Sequence, residues 1–261
     1  MNLRKSPLEK EWLRLLKQEQ SYMKKRMEKK DSKLNLFLAG KVPEKLQGTL
    51  DNAFSKAFYV VFEKGTGVIE KTYRKEDTQK TYQINEYASQ VREDRKSLKA
   101  FSRKAAGSCT GNLVLSGVSG IGLGALGIGL PDIVLFTGLV LKSVYQIALN
   151  YGFDYMAEKE KQFILLLIQG ALAHGEELLI INGKINQYIE KGDWGKNDSL
   201  EEGIRTTAGF LSKELLYMKF LQGIPIAGVV GGAYDLIYLK QIVKYAELKY
   251  RRRFYDKRRH T

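Results

Sequence analysis

Apolar residues recur every three or four positions along most of the chain, which is the period of an amphipathic α-helix. In the first such stretch, residues 8–30, lysines and arginines occupy the other faces. A basic helix of this kind either lies on a membrane surface or docks on the protein core, and the pattern leaves both interpretations open. Its apolar stripe consists of Leu8, Trp12, Leu15, Leu16, Met23 and Met27.

Further helices are predicted downstream of this one. Leucine and phenylalanine recur every four residues over 44–64 and predict a stripe that faces the core. A polar helix is predicted over 76–106, and two more helices over 158–181 and 200–219. Residues 182–199 are polar and contain glycine, so they are predicted to form a loop. The chain has only four prolines, which favours long helices.

Two apolar segments are unusually rich in glycine. Leu113–Leu130 has no charged residue in 18 positions, six of which are glycine, and in Phe220–Leu239 the only charged residue is Asp235. Each glycine inside a helix costs roughly 1 kcal/mol relative to alanine. Close packing of two helix backbones, or a membrane environment, must offset that cost. The four glycines spaced for such packing are Gly120, Gly124, Gly228 and Gly232.

The pattern therefore predicts an all-α fold, a single helical domain in which the two glycine-rich segments pack together. Residues 1–33 are assigned to a basic N-terminal helix, residues 34–239 to the main helical domain and residues 240–261 to a basic C-terminal helix or tail. The first glycine-rich segment is about as long as a transmembrane helix. It is interpreted as a buried soluble core, a membrane span or a re-entrant hairpin, and the sequence leaves these three open.

The net charge of +14 is concentrated at the two ends of the chain. Residues 1–33 contain 11 Lys and Arg against 5 acids, and residues 240–261 contain 9 against 2. A basic surface attracts either nucleic acid or an anionic membrane. The residues predicted to contact anionic lipid are Lys249, Arg251, Arg252, Arg253, Lys257, Arg258 and Arg259. The aromatic residues between them are expected at the level of the headgroups, and they are Tyr245, Tyr250, Phe254 and Tyr255.

Residues suited to conventional catalysis are sparse. The single cysteine, Cys109, excludes an internal disulfide and a cysteine-based zinc site. His174 and His260 have no partners at the spacing of metal ligands or of a catalytic triad. Gly122–Gly127 fits G-x-G-x-x-G, but the acid that should follow about 20 residues later is missing. We therefore predict no catalytic residue, no metal ligand and no cofactor.

Three carboxylates stand within apolar sequence and are candidate functional or capping acids: Asp132, Asp154 and Asp235. Apolar surroundings raise the pKa of a carboxyl group and suit it to general acid catalysis. Asp132, however, follows Pro131 at a predicted helix start, where an acid caps the helix and complements its dipole. Capping is the favoured interpretation for Asp132, and pairing with a neighbouring Lys or Arg is an alternative for Asp235.

Several runs of the sequence resemble the EcsC family, bacterial proteins named for one encoded beside an ABC transporter. The runs are LPDIVL, VYQIALNYGFD and GIPIAGVVGGAYDLIYL followed by a basic tail, and the resemblance covers roughly residues 40–255. The family has no established reaction or ligand, so the resemblance implies a setting near membrane transport and no particular chemistry. The positions that match the family pattern are Asp132, Ile147, Ala148, Tyr151, Gly152, Asp154, Gly223, Ile224 and Pro225.

Together these features predict a non-enzymatic accessory protein, peripheral or partly inserted at the cytoplasmic face of the cell membrane. The N-terminal sequence lacks the apolar core of a signal peptide, which agrees with that location. The expected partners are an anionic membrane surface and, by the resemblance, an ABC transporter. A nucleic-acid-binding protein is an alternative that only the charge favours, so nucleic acid is not an expected partner. An enzyme acting on a lipid or a hydrophobic peptide through Asp132 or Asp154 is the other alternative.

Overall fold

The protein is described by a computed structural model that covers residues 5–28, 44–71, 73–92, 94–114, 131–193, 199–221 and 232–260. Every regular element in these ranges is helical, which confirms the all-α prediction. A π-helical turn, Val61–Gly65, joins the second and third α-helices. The α-helices of the described ranges are α1 (Pro7–Met27), α2 (Glu44–Val60), α3 (Thr66–Lys71), α4 (Lys75–Arg92), α5 (Arg95–Val114), α6 (Pro131–Asn150), α7 (Glu158–Leu172), α8 (Gly175–Lys191), α9 (Leu200–Leu221) and α10 (Gly232–Arg259).

The interior forms around α6 and α10. Helix α10 packs against α1, α5, α6, α7 and α8, whereas α6 also contacts α2, α4 and α5. Buried apolar residues make one cluster that runs from α1 to α10, as expected of a single domain. Aromatic rings supply much of its volume: the rings of Tyr145 and Tyr155 stack with centroids 4.1 Å apart, and those of Phe101 and Phe254 lie 4.5 Å apart.

Helix α6 is the one described helix long and apolar enough to cross a membrane. Its stretch Ile133–Asn150 has a mean hydropathy of 1.5. The core helix of a soluble protein meets the same criterion, and 83% of this stretch is buried inside the fold. The composition of α6 is therefore explained by its place in the core and carries no argument for a span.

The helix predicted over residues 76–106 is divided into α4 and α5. The break follows from a local cap, because the Asp94 carboxylate accepts hydrogen bonds from both the backbone N–H and the hydroxyl of Ser97, each at 2.7 Å. An aspartate in this position satisfies a backbone donor that the first turn of a helix leaves without a partner. The same hydrogen bonds lower the pKa of the Asp94 carboxyl.

The helix predicted over residues 158–181 is also divided, into α7 and α8. Ala173 and His174 are extended, and Gly175 has a φ of 56°, a left-handed conformation that favours glycine. The prediction of a loop over residues 182–199 is wrong for its first ten residues, which belong to α8. Ile185 and Tyr188 extend the buried stripe of that helix, and this stripe outweighs the local glycine and polar content.

Most of the two glycine-rich segments lies outside the described residues. Gly120, Gly124 and Gly228 belong to those portions, and Gly232 is the first residue of α10. The packing of Gly120 and Gly124 against Gly228 and Gly232 therefore stays a prediction. The flanking helices are neighbours, because α5 packs on α6 and α10 packs on both.

Candidate functional site: a cation-lined groove between the two ends of the chain

The N-terminal helix docks on the C-terminal helix. Ser6 caps α1 by accepting a hydrogen bond from the Glu9 N–H at 3.1 Å, and Pro7 stands in the first turn, where a proline is tolerated. The apolar stripe of α1 includes Leu15, which is fully buried, and Tyr22, whose ring stacks on that of Tyr245 in α10 at 5.2 Å. Of the two interpretations open for α1, the structure shows docking on the core.

A buried ion-pair cluster ties α1 to α10. The Lys249 Nζ lies 2.9 Å from one carboxylate oxygen of Glu19, and the Arg252 guanidinium lies 2.7 Å from the other. Lys249 is 1% exposed and also donates to the side chain of Asn186 at 2.9 Å. Burial lowers the pKa of Lys249 to about 8, against the opposing attraction of Glu19. Arg252 makes a second ion pair, at 2.9 Å, with Glu190 of α8.

Two more of the predicted lipid-binding cations are partly buried and paired with carboxylates of the same chain. The Arg253 guanidinium donates to both oxygens of the buried Glu160, at 3.0 and 2.7 Å, and stacks on the ring of Phe153 at 4.1 Å. The Arg258 guanidinium pairs with Glu86 of α4. With Lys249 and Arg252, these residues are engaged by carboxylates of the same chain rather than presented to an outside anion. The aromatic residues expected at the headgroups are core residues instead, which corrects that prediction for Tyr245, Tyr250, Phe254 and Tyr255.

The other three predicted cations lie nearer to solvent. Arg251 is partly buried, and its guanidinium donates to the side chain of Gln18 at 2.6 Å. Lys257 and Arg259 are exposed near the end of α10, and the Arg259 guanidinium lies over the ring of Trp12 at 4.4 Å. Of the seven residues, Arg251 is the one that also lines the neighbouring groove.

A surface groove of about 630 Å³ runs between α1 and α10 beside the buried ion pairs. Among its lining residues the one carboxylate is that of Glu247, which lies 3.6 Å from the Arg251 Nε and accepts a hydrogen bond from the Tyr151 hydroxyl at 2.8 Å. The helical repeat places the lining residues of each helix on one face. Five cationic side chains line this groove: Lys25, Arg26, Lys240, Lys244 and Arg251.

Arg26 lines the groove without meeting a carboxylate among the described residues. Its guanidinium donates to three backbone carbonyls at the end of α7, those of Ala171 at 3.0 Å and of Leu172 and Ala173 at 2.7 Å. Gln241 also donates to the Ala171 carbonyl. These donors satisfy helix-terminal carbonyls and complement the helix dipole, but they leave the formal charge of Arg26 in the groove.

Three buried donors of groove-lining residues have no hydrogen-bond acceptor in the described part of the chain. They are the Tyr22 hydroxyl and the Nε atoms of Arg26 and Arg251. Burial raises the pKa of Tyr22 to about 12, against the opposing effect of Arg26, so its hydroxyl stays protonated at neutral pH. A buried donor without a partner is costly, so these three donors lower the stability of the packing between α1 and α10.

The three candidate acids do not converge on this groove. Asp154 is exposed, and its side chain accepts a hydrogen bond from the Met156 N–H at 3.1 Å, which makes a local turn between α6 and α7. Asp132 is the second residue of α6 and Asp235 lies in the first turn of α10, while their side chains are outside the described set. Capping by Asp132 and the role of Asp235 stay predictions. Among the described residues no group of three or more His, Cys, Asp or Glu is arranged to hold a metal ion.

The family-like positions at the end of α6 have a structural role that the sequence did not reveal. The Tyr151 side chain is buried, and its hydrogen bond to Glu247 links α6 to α10. Gly152 has a φ of 79°, and a Cβ atom placed there would lie 2.3 Å from the ring of Tyr82 in α4. This turn therefore fixes α6 against both α4 and α10.

Sequence reasoning missed the groove residues Lys25, Lys240 and Lys244 as a group. A usable signal was present, because Glu19 falls between the apolar residues of the α1 stripe. An acid on a buried face needs a cation, so some basic residues had to be used internally. The sequence therefore indicates that some cations pair inside the protein and are not available to a ligand, although it does not identify the partner of Glu19.

These features define an all-helical, strongly basic protein whose two ends pack on each other beside a groove lined by five cationic side chains. The model of the EcsC protein family matches residues 9–254, so the chain belongs to the EcsC family, as the resemblance indicated. No significant match was found among curated proteins or among solved structures.

Proposed function

We propose that this EcsC-family protein is a non-enzymatic accessory protein that binds the anionic cytoplasmic face of the cell membrane peripherally. Binding takes place at the groove between α1 and α10. The observation that carries the proposal is the lining of that groove, in which five cations face a single carboxylate. The two basic ends of the chain still supply one binding surface, but of the seven cations expected to contact lipid only Arg251 belongs to it.

Charge and shape both support an anionic headgroup as the ligand. Cations in a cleft with low-dielectric walls focus the field and raise the local concentration of anions. The three lysines of the groove, Lys25, Lys240 and Lys244, are exposed and can reach a phosphate or carboxylate at the surface. Each basic residue near an anionic membrane is worth about 1 kcal/mol.

Vesicle co-sedimentation with a triple variant tests the proposal. Phosphatidylcholine vesicles with and without phosphatidylserine are compared at low salt for the parent protein and for Lys25→Gln, Lys240→Gln, Lys244→Gln combined. Losing three charges near the surface should weaken binding to anionic vesicles roughly 100-fold. Neutral vesicles should bind little of either protein.

A charge-matched control separates the groove from the overall charge. Lys159, Lys191 and Lys213 are exposed and do not line the groove, so changing all three to Gln removes the same net charge. The control variant should lose much less affinity than the groove variant. Equal losses in the two variants would reduce the effect to net charge, and binding that both variants retain in full would overturn the proposal. A short duplex DNA, added as a competitor, reports on the nucleic-acid alternative.

The proposed function also includes a peripheral location at the membrane and a transporter as the partner. A peripheral protein leaves the membrane fraction when the salt concentration is raised, whereas an inserted protein also resists carbonate. The family resemblance adds an ABC-type transporter as the partner at the membrane. Affinity purification of the tagged parent from detergent-solubilised membranes, with the groove variant in parallel, tests that link by the recovery of transporter subunits.

A further inference from the structure

Helix α4 exposes an apolar stripe on its outer face. Ile84, Tyr87 and Val91 are 67%, 71% and 66% exposed, and they are the three most exposed large apolar side chains of the described residues. Their spacing of three and four residues places them side by side on one face of the helix. The opposite face packs inward, where Glu86 pairs with Arg258 of α10. Large apolar residues grouped on a surface mark a contact site far more often than scattered ones do.

A second cation-lined groove flanks this stripe. It lies between α4 and α5, has a volume of about 530 Å³ and contains no carboxylate among its lining residues. Ala88 of α4 lines the groove and lies next to Ile84 on the helix surface, so the apolar stripe and the groove share an edge. The cations that line the groove are Arg92, Lys96, Arg103 and Lys104.

We propose that the stripe of α4 inserts into the interfacial region of an anionic bilayer while the cations of the α4–α5 groove contact the headgroups. An amphipathic helix that binds a membrane surface combines an apolar face with flanking Lys and Arg, and tyrosine is favoured at the level of the headgroups. This inference rests on the proposed membrane function and adds a second, apolar contact to it.

Other possible partners fit the exposed face of α4 less well than an anionic bilayer does. A second copy of the chain, stacked on this face by a two-fold axis, would bring the cations of the two grooves together. Single-stranded nucleic acid would suit the cations, but Ile84 and Val91 offer no aromatic surface for base stacking. An anionic bilayer satisfies the apolar stripe and the cations at once.

An environment-sensitive probe at the stripe tests the inference directly. Val91→Cys is made in a Cys109→Ser background and labelled with the nitrobenzoxadiazole (NBD) fluorophore. Lys213→Cys in the same background is the control, because Lys213 is exposed on α9, away from the stripe. Phosphatidylserine-containing vesicles should shift the emission of the probe at residue 91 to the blue and increase its intensity. The probe at residue 213 should change little.

A second variant measures the contribution of the stripe to binding. Ile84→Ser with Val91→Ser removes most of its aliphatic surface and should weaken partitioning into anionic vesicles by about 10- to 100-fold. Its melting temperature should stay near that of the parent, because both side chains are exposed. A marked loss of thermal stability would instead show that another part of the chain covers the stripe, and would overturn the inference.

The two proposals fail in different ways. A parent protein that does not sediment with anionic vesicles contradicts the proposed function and this inference with it. A protein that sediments, depends on the lysines of the α1–α10 groove and leaves the probe at residue 91 unchanged contradicts only the insertion of α4.

Discussion

The acidic and basic partners of the buried ion pairs between α1 and α10 should contribute unequally to the free energy of unfolding. Glu19 is the single carboxylate that meets both Lys249 and Arg252. Glu19→Ala leaves two cations in the interface, although Arg252 keeps its pair with Glu190. Lys249→Met replaces the buried cation by an apolar side chain of similar volume, and Glu19 stays paired with Arg252. The first change should therefore be much more damaging than the second.

The expected magnitudes follow from the asymmetry of buried ion pairs. Removing one partner of such a pair typically costs about 3–5 kcal/mol, whereas replacing a buried charge by a well-packed apolar residue is often neutral or stabilising. Lys249 limits the loss by giving up its proton, because its pKa is already lowered to about 8 by burial. We expect Glu19→Ala to cost about 3 kcal/mol, a fall in Tm of roughly 6–12 °C. Lys249→Met should cost less than about 1 kcal/mol.

Urea denaturation followed by far-UV circular dichroism measures both changes. The exposed pair of Glu201 and Arg205 supplies a control, because Glu201→Ala should cost no more than about 0.5 kcal/mol. In a Lys249→Met background, the cost of Glu19→Ala should fall by at least about 1 kcal/mol. A Glu19→Ala variant as stable as the parent, or a Lys249→Met variant less stable than Glu19→Ala, would refute the reasoning.

The same cluster predicts a pH dependence. The unfolded chain holds the Lys249 proton up to its ordinary pKa of 10.5, whereas the folded protein releases it near pH 8. The unfolded state therefore binds more protons between these values, and stability rises with pH from about 8 to about 9.5. Lys249→Met should flatten this rise. An unchanged slope in the variant would show that Lys249 is not its source.

Two further predictions concern the turn after α6 and the buried tyrosines. Gly152→Ala combines a φ of 79° with a clash against Tyr82 and should cost about 2–4 kcal/mol. Gly183 lies in α8, where an added Cβ has nothing within 4 Å, so Gly183→Ala should be neutral or stabilising by up to about 1 kcal/mol. Comparable urea midpoints for the two variants would contradict this prediction. Burial raises the pKa of several tyrosines, so unfolded tyrosines lose protons first and stability should fall above about pH 10 in alkaline titrations monitored by circular dichroism. Those raised to about 12 are Tyr22, Tyr73 and Tyr255.

Helical periodicity was enough to predict the fold class and most elements, but it failed where two signals competed. In α8, glycine and asparagine suggested a loop, while Ile185 and Tyr188 continued an apolar stripe whose burial in the core stabilises the helix. Between α4 and α5, the polar residues around Asp94 concealed a cap, because an aspartate inside a charged stretch looks like any other acid. Local propensity is a weak prior that tertiary packing overrides.

The candidate site was predictable in its charge and not in its residues. Lys249 and Lys244 are both lysines of one basic helix, yet the first is buried against Glu19 and the second lines an open groove. Which cation is paired depends on a contact with residue 19, about 230 positions away in sequence. Composition records the excess of positive charge, but only the folded chain shows how much of it has already been neutralised.

The packing of α1 on α10 also affects the order in which the nascent chain can fold. Glu19 leaves the ribosome about 230 residues before Lys249, which is on the order of 10–50 s at usual rates of protein synthesis. During that interval Leu15 and Tyr22 have no α10 on which to bury their apolar surface. The late synthesis of α10 thus makes the first helix to be made one of the last to complete its packing. The packing of α1 on α10 also makes the integrity of residues 240–259 a condition for an ordered N-terminus.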